Sequence, residues 1–518
     1  MKRKAIFALA ASVMLAVLAG ATTSCSSVID TPVADPDVPK TEADAPAFDE
    51  NNVVLAFVGM SDIHIMEDPK TSMRGILDEI HAQGLTPEDL GVDMQKLLRT
   101  TFRNNESFQE AFPFLASKSP RGLEALVIPG DLTNNGLQAE IDTLVKYFTA
   151  EPTIKDKPLI FASGNHDLFN EGDTKFTQRM KASLPATAYA ADIKPFGAND
   201  SRHTVVNGIH FIQINVDNYE WSKGVYLAPT LQWLETEMAE ASKADPTKPI
   251  FVLSHLAITN TVTGSDYTSP NVPDMVWACD YIKPILDKYP QAFLLSGHTH
   301  YSMNNERDIM QDRFTMMNIG PLHYLISDND FYNLGNGTAQ LIDEYDKHPQ
   351  AVLFEVDKNG TTRVRCYDCG LGEQIGQPFI VNAPGYRNSL TSYGYDRSLK
   401  PGPTFPASDS IKVTMADKKK PILSFQRASG NGSQVYYYLV TISDSTGVGN
   451  HIYRKYQSDI YSVAQEDEMA ETVIINLGTL PLPAGKYIVT VTACNVWNKF
   501  GDKLTAIIEL KDDDLESK

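Results

Sequence analysis

Seven side chains able to hold a metal ion stand where short apolar runs stop. Asp62 and His64 follow the run 53–58, Asp131 follows 123–129, Asn165 follows 158–163, His255 follows 249–254, and His298 and His300 follow 292–296. The set offers oxygen and nitrogen donors and no thiolate. That mix suits hard and borderline divalent cations (Mn, Fe, Zn, Ni or Co) and does not suit soft metals or an iron–sulfur cluster. A carboxylate can bridge two cations, and two cations about 3.5–4 Å apart can clamp the oxygens of an in-line displacement and ionise a water near neutral pH. Only Asp62 and Asp131 carry negative charge, so two divalent cations leave the site net positive and in need of an anionic substrate. A phosphate ester is the natural partner.

The elements that must position these groups are legible from pattern. Continuous apolar runs bounded by turn residues suit strands buried on both faces, and in such sheets ligands gather at the carboxyl ends of strands. Between the runs, 230–241 has the helical spacing of Leu231, Leu234 and Met238, and 140–148 is similar. Alternating strand and helix predict an α/β sandwich. The helix-prone segment 66–120 carries no motif, and a cap over the site and a plain packing insertion both fit it. Strands around 351–366 close the domain, and the Gly-, Pro-, Ser- and Tyr-rich stretch 370–406 holds the junction. Beyond it, β-prone runs at 422–425, 435–442, 452–456, 473–477, 487–493 and 504–510 are separated by Gly, Asn, Asp and Pro, which predicts a sandwich of two sheets.

Asp-x-His at 62–64, Gly-Asp at 130–131, Gly-Asn-His-Asp at 164–167, the lone His255 and Gly-His-Thr-His at 297–300, in this order, resemble the calcineurin-like metallophosphoesterase superfamily over about 52–325. The resemblance implies a four-layer α/β/β/α sandwich and a dinuclear-metal phosphoesterase in which a metal-bridging hydroxide attacks phosphorus in line. It assigns Asp62, His64 and His300 to one metal and Asn165, His255 and His298 to the other, with Asp131 bridging. It gives His166 the transition state or the leaving oxygen. Asn134-Asn135 stand where protein serine/threonine phosphatases have Asp-Arg, and Asn134 stands where purple acid phosphatases need a ligating Tyr. The Gly-Asp-Leu-Thr sequence at 130–133 looks most like the bacterial cyclic-nucleotide phosphodiesterase branch. Phosphodiesters are therefore the expected substrates, with phosphomonoesters and nucleotides or pyrophosphates as the alternatives. A surface binding protein with a vestigial catalytic domain is a further alternative, which the intact ligand set speaks against. Asn134 and Asn135 are expected to contact substrate or to shape the turn, and His323 to pack inside, with reach to phosphate as its alternative. His81, His203, His210, His348 and His451 lack motif context.

The run Leu-Pro-Ala-Gly-Lys-Tyr-Ile-Val-Thr-Val-Thr-Ala-Cys-Asn at 482–495 resembles the penultimate strands of a fibronectin type III domain. The expected division is a lipoprotein-type signal peptide (1–25), a flexible tether (26–51), the metallophosphoesterase domain (52–372), a connecting segment (373–404), a fibronectin-like sandwich (405–511) and an acidic tail (512–518).

The formal charge of -20 disfavours an extended nucleic acid as partner, because such binders neutralise phosphates with a basic surface. Lys2, Arg3 and Lys4, the apolar stretch 5–20 and small residues before Cys25 predict export. Cys25 sits like the acylated cysteine of bacterial envelope lipoproteins, which would anchor the chain to membrane. Thr22 replaces the usual Leu there and leaves ordinary cleavage open. Of the other cysteines, Cys366-x-x-Cys369 has no second pair to complete a zinc site, and buried or disulfide-bonded thiols both fit. Oligomeric state is not legible.

Overall fold

Along the strand Val53–Gly59, Leu55 and Phe57 face one core and Val58 another; along Ala125–Pro129, Val127 opposes Leu126 and Ile128 in the same way. Strand side chains alternate, so a strand apolar at every position must be covered on both faces. The computed structural model meets that demand with stacked layers. It describes residues 41–511 except 68–80, 87–93, 170–172, 190–191, 197–198, 221–222, 267, 270–271, 277, 328–339, 342–346, 445 and 447–449. The expected signal peptide with Cys25, most of the tether and the acidic tail lie outside the described residues.

The first sheet has the order Glu373–Val381, Thr362–Asp368, Gln350–Asp357, Val53–Gly59, Ala125–Pro129, Leu159–Ala162, with the last three parallel. The second has the order Ile309–Gln311, Thr315–Asn318, Ala292–Ser296, Ile250–Leu253, Ile209–Gln213, Arg202–Val206, Asp192–Pro195. Its four strands from Thr315–Asn318 to Ile209–Gln213 are parallel. Between the sheets, Phe57 stacks on Phe354 at 4.7 Å and meets Phe251 edge-on at 4.9 Å. Burying each such ring contributes about 1.5–3 kcal/mol.

Helices α1 (Met94–Lys118), α2 (Gln138–Ala150) and α3 (Asp173–Ser183) cover the outer face of the first sheet through Phe108, Phe112, Leu144 and Phe176. Helix α4 (Ala228–Ala244) covers the second through Leu234 and Met238. The result is a four-layer α/β/β/α sandwich.

The last part is all β. Strands Lys412–Asp417, Lys420–Gln426 and Thr472–Asn476 form one sheet, and Asn450–Gln457, Val435–Asp444, Gly485–Asn495 and Phe500–Leu510 the other. Leu423, Phe425, Tyr438, Val440 and Val491 fill the space between them.

Several strands lie outside the runs read from the sequence, among them Arg202–Val206, Ile209–Gln213 and Thr315–Asn318 of the second sheet, and two others show why. Glu373–Val381, placed in the connecting segment 373–404, is an edge strand of the first sheet, so that sheet runs past the boundary at 372. Gly376 and Pro378 disguise it, and an edge is where a sheet tolerates them. Lys412–Asp417 is exposed except for a half-buried Val413 and so lacks an apolar signature. Cys279, Cys366, Cys369 and Cys494 are free thiols.

Candidate metal centre

All seven strand-end residues meet at one rim, where the loops leaving five parallel strands converge. The loops are laced by backbone bonds: the Asp62 N–H donates to Gly130 O, His64 N–H to Asp131 O at 3.0 Å, and Gly297 N–H to His255 O at 3.1 Å. Glycine is required for this closeness. A Cβ on Gly164 would lie 2.1 Å from Asp131 Oδ1, and one on Gly297 would lie 1.9 Å from Ser61 Oγ.

Two donor groups result, Asp62, His64, Asp131 and His300 in one, and Asp131, His255 and His298 in the other, each within 4.8 Å. Asp131 belongs to both. Its Oδ1 accepts from the His166 N–H at 2.9 Å, while Oδ2 faces His64 Nε2 at 3.7 Å and His255 Nε2 at 3.4 Å. Asn165 Oδ1 joins the second group 3.2 Å from His255 Nε2.

The tautomers show what this pocket accepts. His255 Nδ1 lies 2.9 Å from Pro129 O and His300 Nδ1 lies 3.0 Å from Tyr324 O. A carbonyl only accepts, so each Nδ1 carries a proton, and the Nε2 of the ring in its neutral form turns a lone pair inward. That lone pair meets Asp131 Oδ2 and Asn165 Oδ1 in one case, and Asp62 Oδ1 at 3.2 Å in the other. Lone pairs opposed at such distances call for a cation between them, so the residues fit divalent metals. Protonation follows suit. Burial lowers His255, but Asp131 outweighs it and raises the imidazole to about 9, a proton standing where a cation would. Burial pushes Asp131 upward, yet His255, His166 and His64 hold it well below the usual carboxylate range. Burial and His255 bring His298 down to about 3, and burial and His166 hold His64 well below its ordinary value. Ionised Asp62 and Asp131 beside neutral His64 and His298 are in the ligand state that metal binding needs.

His166 stands at the edge of the cluster, its ring 4.5 Å from that of His64. Its Nδ1 donates to Asn134 O at 2.8 Å, which leaves Nε2 for proton transfer. Asn134 thus serves the site through its backbone. Asn135 turns instead to Glu140, its backbone N–H bonding Oε2 at 2.9 Å and its side chain Oε1 at 3.2 Å. His323 packs beside the cluster, 5.4 Å from the His64 ring and 3.2 Å from Asn104 Nδ2.

Other residues emerge only from the fold. Asp167 is fully buried and accepts from Thr133 N and Oγ1 and from Gly164 N at 2.7–2.9 Å, tying the Asp131 and Asn165 loops together. Its place in the Gly-Asn-His-Asp motif was the available signal. On α1, Asn105 both accepts from and donates to the Met66 backbone, pinning the chain after His64. No local pattern announces it.

The four-layer sandwich thus carries two donor groups that share one carboxylate. Residues 55–302 match the model of the calcineurin-like phosphoesterase family. Solved structures similar to the chain include purple acid phosphatase PPD1 from yellow lupin (14% identity, 68% of this chain and 57% of that one, TM-score 0.38). Others are the NAD nucleotidase NadN of Haemophilus influenzae (14%, 64% and 50%, 0.29) and the chicken CNTN1 FN1-FN3 domains (10%, 34% and 47%, 0.16). The chain spans about half the length of each of these structures. A search of the curated proteins finds no match.

Proposed function

We propose that the chain is an exported hydrolase of phosphodiesters. Asp62, His64 and His300 would hold one divalent cation, Asn165, His255 and His298 the other, and Asp131 both. Two bound cations supply a nucleophile from water and a clamp on the phosphoryl oxygens. The protein positions Asp131 between the subsites and holds His166 through Asn134 O so that Nε2, when the ring is the imidazolium, can hand a proton to the leaving oxygen.

The observation that carries the preference for a diester is charge. Burial, carboxylates and imidazoles are the leading influences on the ionisation of Asp62, Asp131, His64, His255 and His298, and no Lys or Arg of the described residues is among them. A monoester dianion presents an extra charge that such sites commonly meet with a guanidinium. A diester monoanion needs only the cations.

The basic start, apolar stretch and Cys25 support export with a lipid anchor in the bacterial envelope. The sandwich of three strands facing four supports a fibronectin type III-like module.

The test removes divalent metals from protein lacking residues 1–25 and restores Mn, Zn, Ni or Fe singly while bis-aryl and mono-aryl phosphates are assayed. Metal-dependent cleavage with diester preference is expected. Asp131→Asn should lower kcat by about 100-fold or more with the fold intact. Monoester preference sinks the diester reading, and unchanged activity in Asp131→Asn sinks the mechanism.

A further inference from the structure

The loop that carries His298 and His300 has a second side. Tyr301, next after His300, is 1% exposed and lies in an apolar cluster with Ile326 and with Tyr436, Tyr437 and Leu439 of the sandwich strand Val435–Asp444. Ile326 is itself tied to the metal loop, its N–H donating to His300 O at 2.8 Å. Two residues before it, Tyr324 O accepts from His300 Nδ1, and the Tyr324 ring stacks on the imidazole at 3.8 Å. The backbone that bears His300 and the segment that orients its ring therefore both rest on the sandwich.

Polar contacts fix the same seam. Asn304 Nδ2 donates to Val463 O at 2.7 Å, Gln434 Nε2 to Asn304 O at 2.8 Å, and Trp497 Nε1 to Glu306 Oε1 at 2.9 Å. The other donor group is braced differently. His255 is oriented by Pro129 O, and the Asp131 and Asn165 loops are held by Asp167, all within the four-layer part.

We propose that the C-terminal sandwich is a positioning element for one of two metal subsites, acting through Tyr301 and Ile326 on the orientation of His300. This rests on His300 being a ligand. A ring nitrogen binds a cation only along its lone pair, and losing the groups that hold a ligating imidazole typically costs 10–100-fold in metal affinity. His298 shares the loop, but its N–H is held by Asp62 Oδ2 at 3.0 Å within the four-layer part, whereas the His300 ring is oriented by the segment that rests on the sandwich, so weakening the seam should unbalance the two subsites.

The experiment titrates Mn or Zn into metal-stripped full-length protein by calorimetry. Tyr301→Ala and, from the sandwich side, Leu439→Ala should weaken one binding equivalent by about 10–100-fold and leave the other within about threefold. His300→Ala identifies which equivalent that is, and Tyr301→Phe, which keeps the packing, should restore both. If Tyr301→Ala does not fold, Leu439→Ala carries the comparison. Two intact equivalents in folded Leu439→Ala, or equal weakening of both, overturn the brace alone. Wild-type protein that binds no metal overturns the ligand assignment, and the brace with it.

Discussion

At the scale of single residues, Asp62, His64, Asp131, His298 and His300 share a backbone conformation with φ between 45° and 68°. Left-handed backbone costs about 1–3 kcal/mol for a residue with a Cβ. Elsewhere among the described residues it is adopted, apart from glycine, only by Asp200 and by asparagines, whose short polar side chains tolerate it. Three histidines so held mark a site where neighbouring loops impose the geometry. Phe169 is one of the large apolar residues left exposed among the described residues, and it stands beside the cluster. Its ring is 53% exposed and lies 4.6 Å from that of His166. With His166 as donor to the leaving oxygen, that face lies beside the leaving group, and an aromatic one would stack on it. Phe169→Ala should raise KM for bis-aryl phosphates by roughly threefold to tenfold and leave KM for dialkyl phosphates unchanged. An equal rise for both would remove Phe169 from recognition.

At the scale of elements, the clustered donor residues were legible because each ends a strand buried on both faces, so an apolar run stopping at Asp, Asn or His is visible in one dimension. What was not legible depends on contacts between distant segments. Asn105 meets Met66 from a helix without a motif, and Tyr301 owes its burial to a strand more than a hundred residues later. The short helical turn Glu306–Asp308, between the metal loop and the sandwich, is such a case. Asp308 is 0% exposed; Thr263 and Asn318 lie near its carboxyl, but neither completes a bond of ordinary geometry. Burial raises Asp308 well above its model-peptide value of 3.8 despite Thr263 and Arg307. The native chain therefore keeps a proton that the unfolded chain releases, and the associated stability is complete below 3.8 and lost as pH rises toward the folded-state value. Asp308→Asn should match wild type in thermal stability at pH 4 and exceed it at pH 8, by about 1–3 kcal/mol. The same difference at both pH values would show that Asp308 does not titrate out of step.

At the scale of the molecule, the strand Val435–Asp444 explains why the sandwich is not a hanging module. Tyr438, Val440 and Ile442 face the sandwich core while Tyr436, Tyr437 and Leu439 face the four-layer part. The continuous run Val-Tyr-Tyr-Tyr-Leu-Val-Thr-Ile at 435–442 was open to reading as such a doubly buried strand, but nothing in it says what covers the second face. Arg397 closes the seam from the side, its guanidinium donating to Glu306 O at 2.7 Å and lying 5.3 Å from the Trp497 ring. An apolar seam with part-buried charge-assisted bonds resists separation more than a wet contact between independent domains. The full chain should therefore unfold in one calorimetric transition. Arg397→Ala strands the Glu306 carbonyl and leaves the Trp497 face uncovered, at a cost of about 1–3 kcal/mol. It should lower the midpoint or split the transition, with the sandwich melting apart from the four-layer part. Two resolved transitions already in the wild type would mean that the seam is too weak to couple the parts. A sandwich thus uncoupled would have no mechanical hold on the His300 loop.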